Sequence, residues 1–405
     1  MKKKILFWMP SMHIGGAESA LIGLLCALDY TKVDVDLFLN RHEGEMLNDI
    51  PSEVHVLDEV KQYTCLAEPL LRTIKRGHLL IAAARVFGKI AAARFSHGKV
   101  DGGVTGEYSH KFTQWLMPRI QRKVSYDLAV SFITPHYFVA KKVSAKKKVA
   151  WIHTDYSKLI VDVKSQLKMW GAYDHIVSIS EAVGENFVKV FPQLCDKLVQ
   201  IENILPVNRV REKAEEPVDL PNDKTDGAIC LLSIGRFCNA KNFDNVPEIC
   251  SLLLKQGLNV YWYLIGYGDG EQEIKKNIMK NGMQDRVLIL GKKKNPYPYI
   301  KACDVYVQPS RYEGKAVTVR EAQALGKPVI ITDFPTAKSQ LHDGVDGMIV
   351  PMNNEGCAEG IAELLRSPEQ MRKLSEACLS NDYSNAHEAE KLFAMLEAEE
   401  KNAEI

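Results

Sequence analysis

The feature that most constrains the fold is a regular alternation of short apolar runs with helical patterns along the whole chain. The first half carries seven such runs, which are "ILFWMP", "VDLFLN", "VHVLD", "DLAVSF", "VAWIH", "HIVSIS" and "LVQIE". The second half carries six, which are "ICLLSIG", "VYWYLIG", "RVLIL", "DVYVQP", "PVIIT" and "GMIVP". Nearly continuous apolar strands with helices between them indicate parallel sheets that are covered on both faces. The sequence therefore predicts an α/β fold with two doubly wound, Rossmann-like domains.

The boundary between the domains is predicted from a stretch rich in proline and charge, "PVNRVREKAEEPVDLPNDKTDG". A length of 405 residues also fits two domains better than one. We predict an N-terminal domain over 1–207, a linker over 208–226 and a C-terminal domain over 227–382, with a helix at about 383–405 that packs back on the first domain. Ligands of such sheets bind beyond the carboxyl ends of the strands, so we expect the two domains to face a cleft.

The cysteines and the apolar segments indicate the compartment. The nine cysteines are scattered and form no C-x-x-C pair, which fits reduced thiols in a cytoplasm and argues against a zinc site. The start "MKKKILFWMP" imitates a signal peptide, but its apolar stretch is short and is not followed by a small-residue cleavage site. We interpret Ile5 to Met9 as a first buried strand and predict a cytoplasmic protein.

The charge is distributed unevenly along the chain. Residues 1–213 hold 30 Lys and Arg against 22 Asp and Glu, whereas residues 214–405 hold 22 against 29. Residues 61–100 carry eight cations and a single acid, Glu68, interleaved with Leu, Ile, Ala and Phe at helical spacing. This segment predicts either solvated amphipathic helices or a basic apolar patch that holds the protein on an anionic membrane leaflet.

Two glutamates eight positions apart frame the stretch "EGKAVTVRE" in the second half. Glu313 lies in a loop after a strand, and Glu321 lies inside a helix that we predict from about Ala316 to Leu325. We expect the backbone N–H groups of Ala316 and Val317 to be free donors for an anion at the helix N-terminus. A nucleotide sugar fits this layout, because its diphosphate separates the sugar hydroxyls from the ribose hydroxyls.

Two cations follow the first strand of the same domain, in "SIGRFCNAKNFD". Arg236 and Lys241 lie in the turn that leads to the next helix, at the carboxyl end of a parallel strand. Such a position suits a multiply charged phosphate. The alternative is a pair of solvated loop cations.

The next strand ends in "LIGYGDGEQE", which has the spacing G-x-G-x-G at Gly266, Gly268 and Gly270. The full dinucleotide spacing is missing, and the following strand offers no convincing acid for a ribose. We therefore predict a tight strand-to-helix turn and no NAD site.

Three motifs of the first half have both a structural and a functional interpretation. Gly15 and Gly16 follow the first strand, where they either allow close approach to a ligand or form a packing turn. His153 ends the strand "VAWIH" on the predicted cleft side, where it is either a structural residue or a ligand contact. Asp34 and Asp36 form a D-x-D, but they lie near the start of a strand, so we predict a structural role and no metal.

Taken together, these motifs resemble the retaining glycosyltransferases of family four, which have the GT-B fold. The E-x(7)-E pair, the pattern G-R-x(4)-K, the Gly-Gly loop and the strand-end histidine occur in the family's order. The resemblance implies a retaining, metal-independent enzyme without a cofactor, which moves a sugar from a nucleotide-diphosphate sugar to a glycan acceptor.

The resemblance also implies the site. Glu313 would contact the donor sugar, Glu321 the ribose, and Arg236 with Lys241 the diphosphate. The base would dock near residues 290–294. The implied donor site comprises Gly15, Gly16, Arg236, Lys241, Lys292, Tyr297, Glu313, Gly314, Lys315, Ala316, Val317 and Glu321, and the implied catalytic residues are Glu313, His153, Arg236 and Lys241.

The sequence departs from the family at Lys315 and Ala316, where many members have a large apolar residue followed by Pro or Gly. Lys315 is therefore either a third phosphate partner or a residue that contacts the donor sugar.

The expected partners follow from the resemblance and from the basic segment. We expect a UDP-sugar as donor and a glycan acceptor linked to polyprenyl diphosphate, as in capsule and other bacterial surface polysaccharides. We also expect peripheral association with the inner face of the plasma membrane through residues 61–100, and no nucleic acid. The alternatives are a nucleotide-sugar epimerase or hydrolase, and a non-catalytic sugar-binding protein on the same scaffold.

Overall fold

The chain forms two compact units in a computed structural model that describes residues 2–97, 102–218, 220 and 227–397. The first unit is formed by the described parts of Met1–Ile204 and Asn385–Ile405, and the second by those of Leu205–Ser384. Each unit is built around one parallel sheet.

The sheet of the first unit contains seven strands, which pair in the order β3-β2-β1-β4-β5-β6-β7. Its strands are β1 Lys3–Met9, β2 Val33–Leu39, β3 His55–Val56, β4 Tyr126–Ser131, β5 Ala145–Ile152, β6 His175–Ser178 and β7 Leu198–Gln200. The sheet of the second unit contains six strands, which pair in the order β10-β9-β8-β11-β12-β13. Its strands are β8 Ile229–Ile234, β9 Val260–Ile265, β10 Val287–Gly291, β11 Val305–Gln308, β12 Val329–Thr332 and β13 Met348–Val350.

α-Helices lie in the connections between successive strands, except between β2 and β3 and between β12 and β13, where the connection contains a 3₁₀ turn. In chain order they are α1 Gly16–Ala27, α2 Lys61–Ala67, α3 Leu70–Lys75, α4 Leu79–Phe95, α5 Gly102–Thr113, α6 Tyr137–Lys142, α7 Val163–Gly171, α8 Glu181–Val190, α9 Val207–Lys213, α10 Val246–Lys255, α11 Glu271–Lys280, α12 Tyr297–Ala302, α13 Val317–Ala324, α14 Asn354–Leu365, α15 Pro368–Ser380 and α16 Ala389–Glu397. Single 3₁₀ turns lie at Leu47–Asp49, Tyr156–Lys158, Pro192–Lys197, Asn239–Lys241, Ala337–Ser339 and Ala386–Glu388.

Both sheets are doubly wound, so the predicted fold class is confirmed. Each of the thirteen apolar runs overlaps a strand of the structure. On β8, Leu231 packs into one core while its neighbours Cys230 and Leu232 pack into another, because successive side chains point to opposite faces of the sheet. Apolar strands are therefore required at the centre of this sheet.

The order of the strands reverses next to the first strand of each sheet. In the first unit this switch lies between β1 and β4, and in the second unit between β8 and β11. Ligands of open α/β sheets bind in the crevice outside the carboxyl ends of the strands at such a point. The loops that follow β8 and β11 therefore form the expected ligand-binding region of the second unit.

The linker predicted over 208–226 is wrong in its first part. Residues Val207–Lys213 form α9, and Val210 is buried against Leu205 and Ala324 of the second unit. Arg211 donates from Nε to the carbonyl of Ala324 over 3.2 Å. The charged residues of α9 therefore form the solvated face of a packed helix. Residues 219 and 221–226 of the predicted linker lie outside the described residues.

The C-terminal segment predicted at about 383–405 contains α16, whose Leu392 is fully buried in the core of the first unit. Residues 398–405 lie outside the described part. Among the described residues, no helix combines the length and the hydrophobicity needed to cross a bilayer.

The turn after β9 depends on close backbone contact with the loop after β8. A Cβ atom on Gly266 would lie 1.9 Å from the carbonyl oxygen of Gly235, and Gly266 has a φ of +154°. The glycine-rich motif is therefore a tight turn, as predicted, and it holds the loop that carries Arg236.

We predict that Gly266→Ala lowers the free energy of unfolding by about 3 kcal/mol, because the added methyl group displaces that loop. Gly282→Ala is the matched control, since Gly282 also has a positive φ of +68° but no atom within 4 Å of its Cβ position. The control should lose only about 1 kcal/mol from backbone strain. Urea unfolding measures both changes, and equal losses would contradict the contact.

Candidate active site

An ion pair between Lys241 and Glu313 lies at the switch point of the second sheet. The Nζ atom of Lys241 is 2.6 Å from Oε1 of Glu313, and both side chains are largely buried. Lys241 ends the short turn after β8, and Glu313 lies in the loop after β11. Two residues 72 positions apart are thus joined because β8 and β11 are neighbours in the sheet.

The carboxylate of Glu313 is oriented by two further donors. Ser310 donates from Oγ to Oε1 over 2.5 Å, and Gln308 donates from Nε2 to the same oxygen over 3.2 Å. Both side chains are fully buried, and Tyr306 in turn donates to Oε1 of Gln308 over 2.7 Å. The sequence analysis missed this network, although a glutamine inside the apolar run "DVYVQP" was a signal for it.

The loop between β11 and α13 is also held from its two sides. Arg311 makes a two-pronged ion pair with Asp244, at 2.8 and 2.7 Å, which ties this loop to the loop after β8. On the other side, Thr336 donates from Oγ1 to the carbonyl of Glu313 over 2.8 Å. The position of Glu313 is therefore fixed before any ligand binds.

Arg236 is an exposed side chain on the loop after β8. It forms no hydrogen bond or ion pair with any residue that the structure describes. The aliphatic part of Lys241 lies over Gly235, with Cε 3.1 Å from the position that a Cβ atom would take there. The two cations thus share one loop, as the sequence predicted, and Arg236 is available to an anion.

The expectation that Ala316 has a free N–H group is wrong. Gln340 accepts a hydrogen bond from that N–H over 2.7 Å, and its amide also donates to the carbonyl of Ala316. Helix α13 begins one residue later, at Val317, without a side-chain cap. Among the described residues, none accepts a hydrogen bond from the N–H of Val317, so the end of α13 retains a donor.

Glu321 lies in α13 and is buried, with 5% of its surface exposed. Tyr297, the first residue of α12, donates a hydrogen bond to Oε1 of Glu321 over 3.2 Å. Burial raises the pKa of Glu321 to about 7, against the smaller opposite effect of that hydrogen bond. The other carboxyl oxygen of Glu321 can accept a hydrogen bond from a ligand hydroxyl. Tyr297 therefore belongs to the candidate site through its contact with Glu321.

The other predicted residues of the second unit surround these groups. Gly314 has open space around it and an ordinary φ, and Lys315 is half-buried. Lys292 follows β10, and its Nζ lies 5.3 Å from the centre of the Tyr267 ring. These positions place Lys292 on the same edge of the sheet as Arg236, because β8, β9 and β10 are parallel neighbours.

In the first unit, His153 directly follows β5, as predicted. Its ring hydrogen-bonds the backbone of Phe132, and burial lowers its pKa to about 4. Its Nε2 atom is buried without a hydrogen-bond partner among the described residues. His153 is therefore a neutral imidazole at pH 7, and its Nε2 atom carries no positive charge.

The two glycines of the first unit differ in their surroundings. A Cβ atom on Gly15 would lie 2.3 Å from Oε2 of Glu18, the end of a flexible side chain that can move aside. Gly16 begins α1 and has no atom within 4 Å of its Cβ position. Gly15 thus borders the Glu18 carboxylate, whereas the space beside Gly16 is open.

The D-x-D pair lies on β2, and both carboxylate oxygens of Asp36, its second member, contact side chains of the protein. Asp36 accepts a hydrogen bond from the hydroxyl of Tyr126 over 2.5 Å, and its other oxygen is 2.9 Å from Nδ1 of His55. Asp34 is 3.6 Å from Lys2. These contacts support a structural role for the pair.

Comparison with known proteins finds a family match on the second unit. Residues 216–379 match the family described as "Glycosyl transferases group 1". The match lies entirely within the second unit. The matched range contains Arg236, Lys241, Glu313 and Glu321, so the predicted family is confirmed on the unit that carries them.

Relatives of the chain include glycosyltransferases that are named for polysaccharide synthesis. The chain is 28% identical over 181 residues to the lipopolysaccharide core biosynthesis glycosyltransferase LpsE of Rhizobium meliloti. The aligned region covers 44% of this chain and 50% of LpsE. The chain is 24% identical over 266 residues to the amylovoran biosynthesis glycosyltransferase AmsK of Erwinia amylovora. That aligned region covers 58% of this chain and 64% of AmsK. The chain thus spans half to two thirds of the length of these relatives.

Solved structures confirm the GT-B fold over the whole chain. HepE of Anabaena, in complex with UDP and glucose, matches with a TM-score of 0.66 at 17% identity. The match covers 98% of this chain and 100% of HepE. At this identity the likeness shows the fold.

We predict that Glu321 makes the stability of the ligand-free protein depend on pH. The folded pKa of about 7 lies above the ordinary value of 4.5, so the proton is bound more tightly by the folded state. This contribution is fully present below about pH 4.5 and is lost as the pH rises through 7, by about 3 kcal/mol in total. Glu321→Gln, which mimics the protonated form, should remove the loss.

Urea unfolding of wild type and Glu321→Gln between pH 5 and 8 tests this prediction. Glu369→Gln is the control, because Glu369 is an exposed glutamate on α15. Parallel pH profiles for wild type and Glu321→Gln would show that Glu321 is ionised in the folded protein throughout this range.

Proposed function

We propose that the protein is a retaining glycosyltransferase that transfers a sugar from a UDP-sugar to a surface-polysaccharide acceptor. The observation that carries the proposal is the Lys241–Glu313 pair at the switch point of the second sheet, beside Arg236 and the N-terminus of α13. This arrangement offers cations for a diphosphate and a fixed carboxylate for sugar hydroxyls.

The charges of the group fit the donor. Arg236, Lys241 and Lys315 contribute three positive charges, and Glu313 removes one. The remaining two balance the two negative charges of the diphosphate in a nucleotide sugar. Lys241 has three N–H donors and uses one on Glu313, so it can bind a phosphate oxygen at the same time. We therefore propose Lys315 as a third phosphate partner.

The ribose is proposed to bind at Glu321, whose buried carboxyl group is next to Tyr297. The base is proposed to lie near Lys292, beyond the end of β10. A bound UDP in the structurally similar HepE supports UDP as the nucleotide.

The mechanism follows from where charge develops. As the bond to the anomeric carbon breaks, negative charge grows on the leaving diphosphate, and Arg236, Lys241 and the N-terminus of α13 stabilise it. The carboxylate of Glu313 orients the donor sugar. The family resemblance supports retention of configuration, with the leaving phosphate oxygen accepting the proton of the acceptor hydroxyl. Protein cations supply the charge stabilisation, so we expect no metal requirement.

The first unit is proposed to bind the acceptor. Gly16 offers open space at the start of α1, and the neutral Nε2 of His153 offers one hydrogen bond to a sugar hydroxyl. The names of LpsE and AmsK support a glycan acceptor in the synthesis of a polymer such as lipopolysaccharide or amylovoran.

We predict that Glu313→Gln and Arg236→Ala each lower the transfer rate by about 10² or more, because both groups act on the reacting donor. Arg372→Ala, on the exposed face of α15, is the control and should retain full activity. The assay follows UDP release and acceptor glycosylation, and proton NMR of the product should show the configuration of the donor. Near-normal rates for either variant with unchanged folding would refute the site.

The same assay separates the alternatives. An epimerase or hydrolase would change or release the sugar without an acceptor. A non-catalytic binding protein would bind the nucleotide sugar and convert none of it.

The basic segment at 61–100 supports a membrane contact by its exposed apolar residues; residues 98–100 lie outside the described part. Leu71 and Leu80 are each 73% exposed, and Phe87 on α4 is 63% exposed. Arg72, Lys75, Lys89 and Arg94 are exposed beside them. Exposed leucine and phenylalanine interleaved with cations fit an anionic lipid surface, so we propose peripheral binding to the inner face of the plasma membrane and a polyprenyl-diphosphate-linked acceptor.

Two cations of the segment do not belong to this surface. Arg85 is buried and donates to the carbonyl of Cys65 over 2.5 Å and to Thr73 over 3.0 Å. Arg76 is 2.9 Å from the buried carboxylate of Glu68. The sequence alone did not show which cations of this segment lie on the buried face of their helix and which lie on the exposed face.

We predict that the protein floats with liposomes that contain anionic lipid and that salt weakens this binding. Replacing Arg72, Lys75, Lys89 and Arg94 by Gln should lower it at least about tenfold, because each cation contributes about 1 kcal/mol. Arg122, Lys123, Lys146 and Lys189, exposed elsewhere on the first unit, form the control set. Equal effects of the two sets, or no binding at low salt, would refute the membrane surface.

A further inference from the structure

A cavity of about 320 Å³ lies in the first unit between α5, α6 and α7. None of the residues predicted to bind the donor lines it. Its volume is at the lower end of the range for small-molecule sites, which suits a ligand the size of one sugar ring. The cavity is therefore a candidate for a separate binding site.

The charge of the cavity is strongly positive. Four lysines and one aspartate line it, namely Lys111, Lys141, Lys164, Lys168 and Asp162. Asp162 is already used by the protein, because it caps α7 and accepts from the hydroxyl of Tyr108 over 2.8 Å. It also lies 3.8 Å from Lys111. None of the other three lysines forms an ion pair with a described residue, although Glu107, a buried acid next to the lining, accepts from the hydroxyl of Tyr137 over 3.2 Å.

Lys164 and Lys168 concentrate positive charge on one face of α7. They are four residues apart, so they lie one helical turn apart, where like charges repel each other. Both are exposed, and neither forms an ion pair with a described residue. An anion bound between them would relieve this repulsion.

The wall of the cavity is suited to a sugar more than to a bare anion. Ala140 and Met169 supply an apolar surface, and the hydroxyls of Tyr137 and Ser165 on the lining are hydrogen-bonded to each other over 3.1 Å, so their oxygens can still accept a hydrogen bond. At its side, Trp115 is 72% exposed, with Nζ of Lys141 4.2 Å from its ring centre. An exposed indole ring offers a face for the C–H groups of a sugar, and hydroxyls offer hydrogen bonds.

We propose that this cavity binds a negatively charged sugar unit, which carries either a phosphate or a carboxylate. The inference rests on the proposed function in one respect, because it assigns the site to an anionic unit of the glycan acceptor. The lysines bind the charged group, the hydroxyl oxygens of Tyr137 and Ser165 accept hydrogen bonds from sugar hydroxyls, and Trp115 covers one face of the ring.

The test measures binding by saturation-transfer NMR and tryptophan fluorescence with glucose 6-phosphate, glucuronate and uncharged glucose. Saturating UDP is present so that the donor site is occupied. Both anionic sugars should bind at least about tenfold more tightly than glucose, and salt should weaken them. Binding of only one of them would support the site and identify phosphate or carboxylate as the charged group.

Variants of the full chain assign the binding to the cavity. The pair Lys164→Gln and Lys168→Gln should weaken binding about tenfold or more, and Trp115→Ala should weaken it about threefold to tenfold. The pair Lys123→Gln and Lys189→Gln is the charge-matched control and should have no effect. Circular dichroism and thermal unfolding establish that each variant is folded.

Three outcomes would overturn the proposal. Equal binding of glucose would show that the lysines do not select a charged sugar, and equal effects of the two lysine pairs would indicate unspecific attraction. If no anionic sugar binds but sugar-free anionic vesicles do, and Lys164→Gln with Lys168→Gln abolishes that binding, the surface contacts lipid. No arm measures sugar transfer, so the result is independent of whether the transferase activity is found.

Discussion

The candidate site depends on the ion pair between Lys241 and Glu313. Both side chains are largely buried, so removal of one would leave the other as an unpaired charge at a cost of about 3–5 kcal/mol. The pair joins the loops after β8 and β11 at the point where the strand order reverses. Ser310 and Gln308 hold the carboxylate from the protein side. A sugar and a diphosphate would thus meet groups that are already in place.

The fold could be predicted because its signals are local. Strands at the centre of a doubly wound sheet are covered on both faces, so runs such as "ICLLSIG" are almost entirely apolar. Such runs can be recognised as strands in the sequence. The edge of the sheet that carries the candidate residues could be predicted, because parallel strands bring their carboxyl ends to one edge. Lys241 and Glu313 follow β8 and β11, and the structure joins them in an ion pair.

What could not be predicted depends on contacts between distant segments. The N–H of Ala316 is occupied by Gln340, a residue 24 positions away that no local pattern connects to it. Helix α9 was interpreted as linker because its charged residues hide the single buried side chain of Val210. The pKa values of Glu321 and His153 likewise follow from burial, which the sequence does not give. The same limit applies to Arg85, whose partners come from α2 and α3.

The most direct test of the donor site is a crystal structure of the protein with UDP. We expect the diphosphate within hydrogen-bonding distance of Arg236 and Lys241, and the ribose hydroxyls on the carboxyl group of Glu321. The beta phosphate should lie beside the N–H of Val317, with the space next to Glu313 left for the sugar. UDP bound away from the loops that follow β8 and β11, with Arg236 and Glu321 without contact to it, would contradict the assignment.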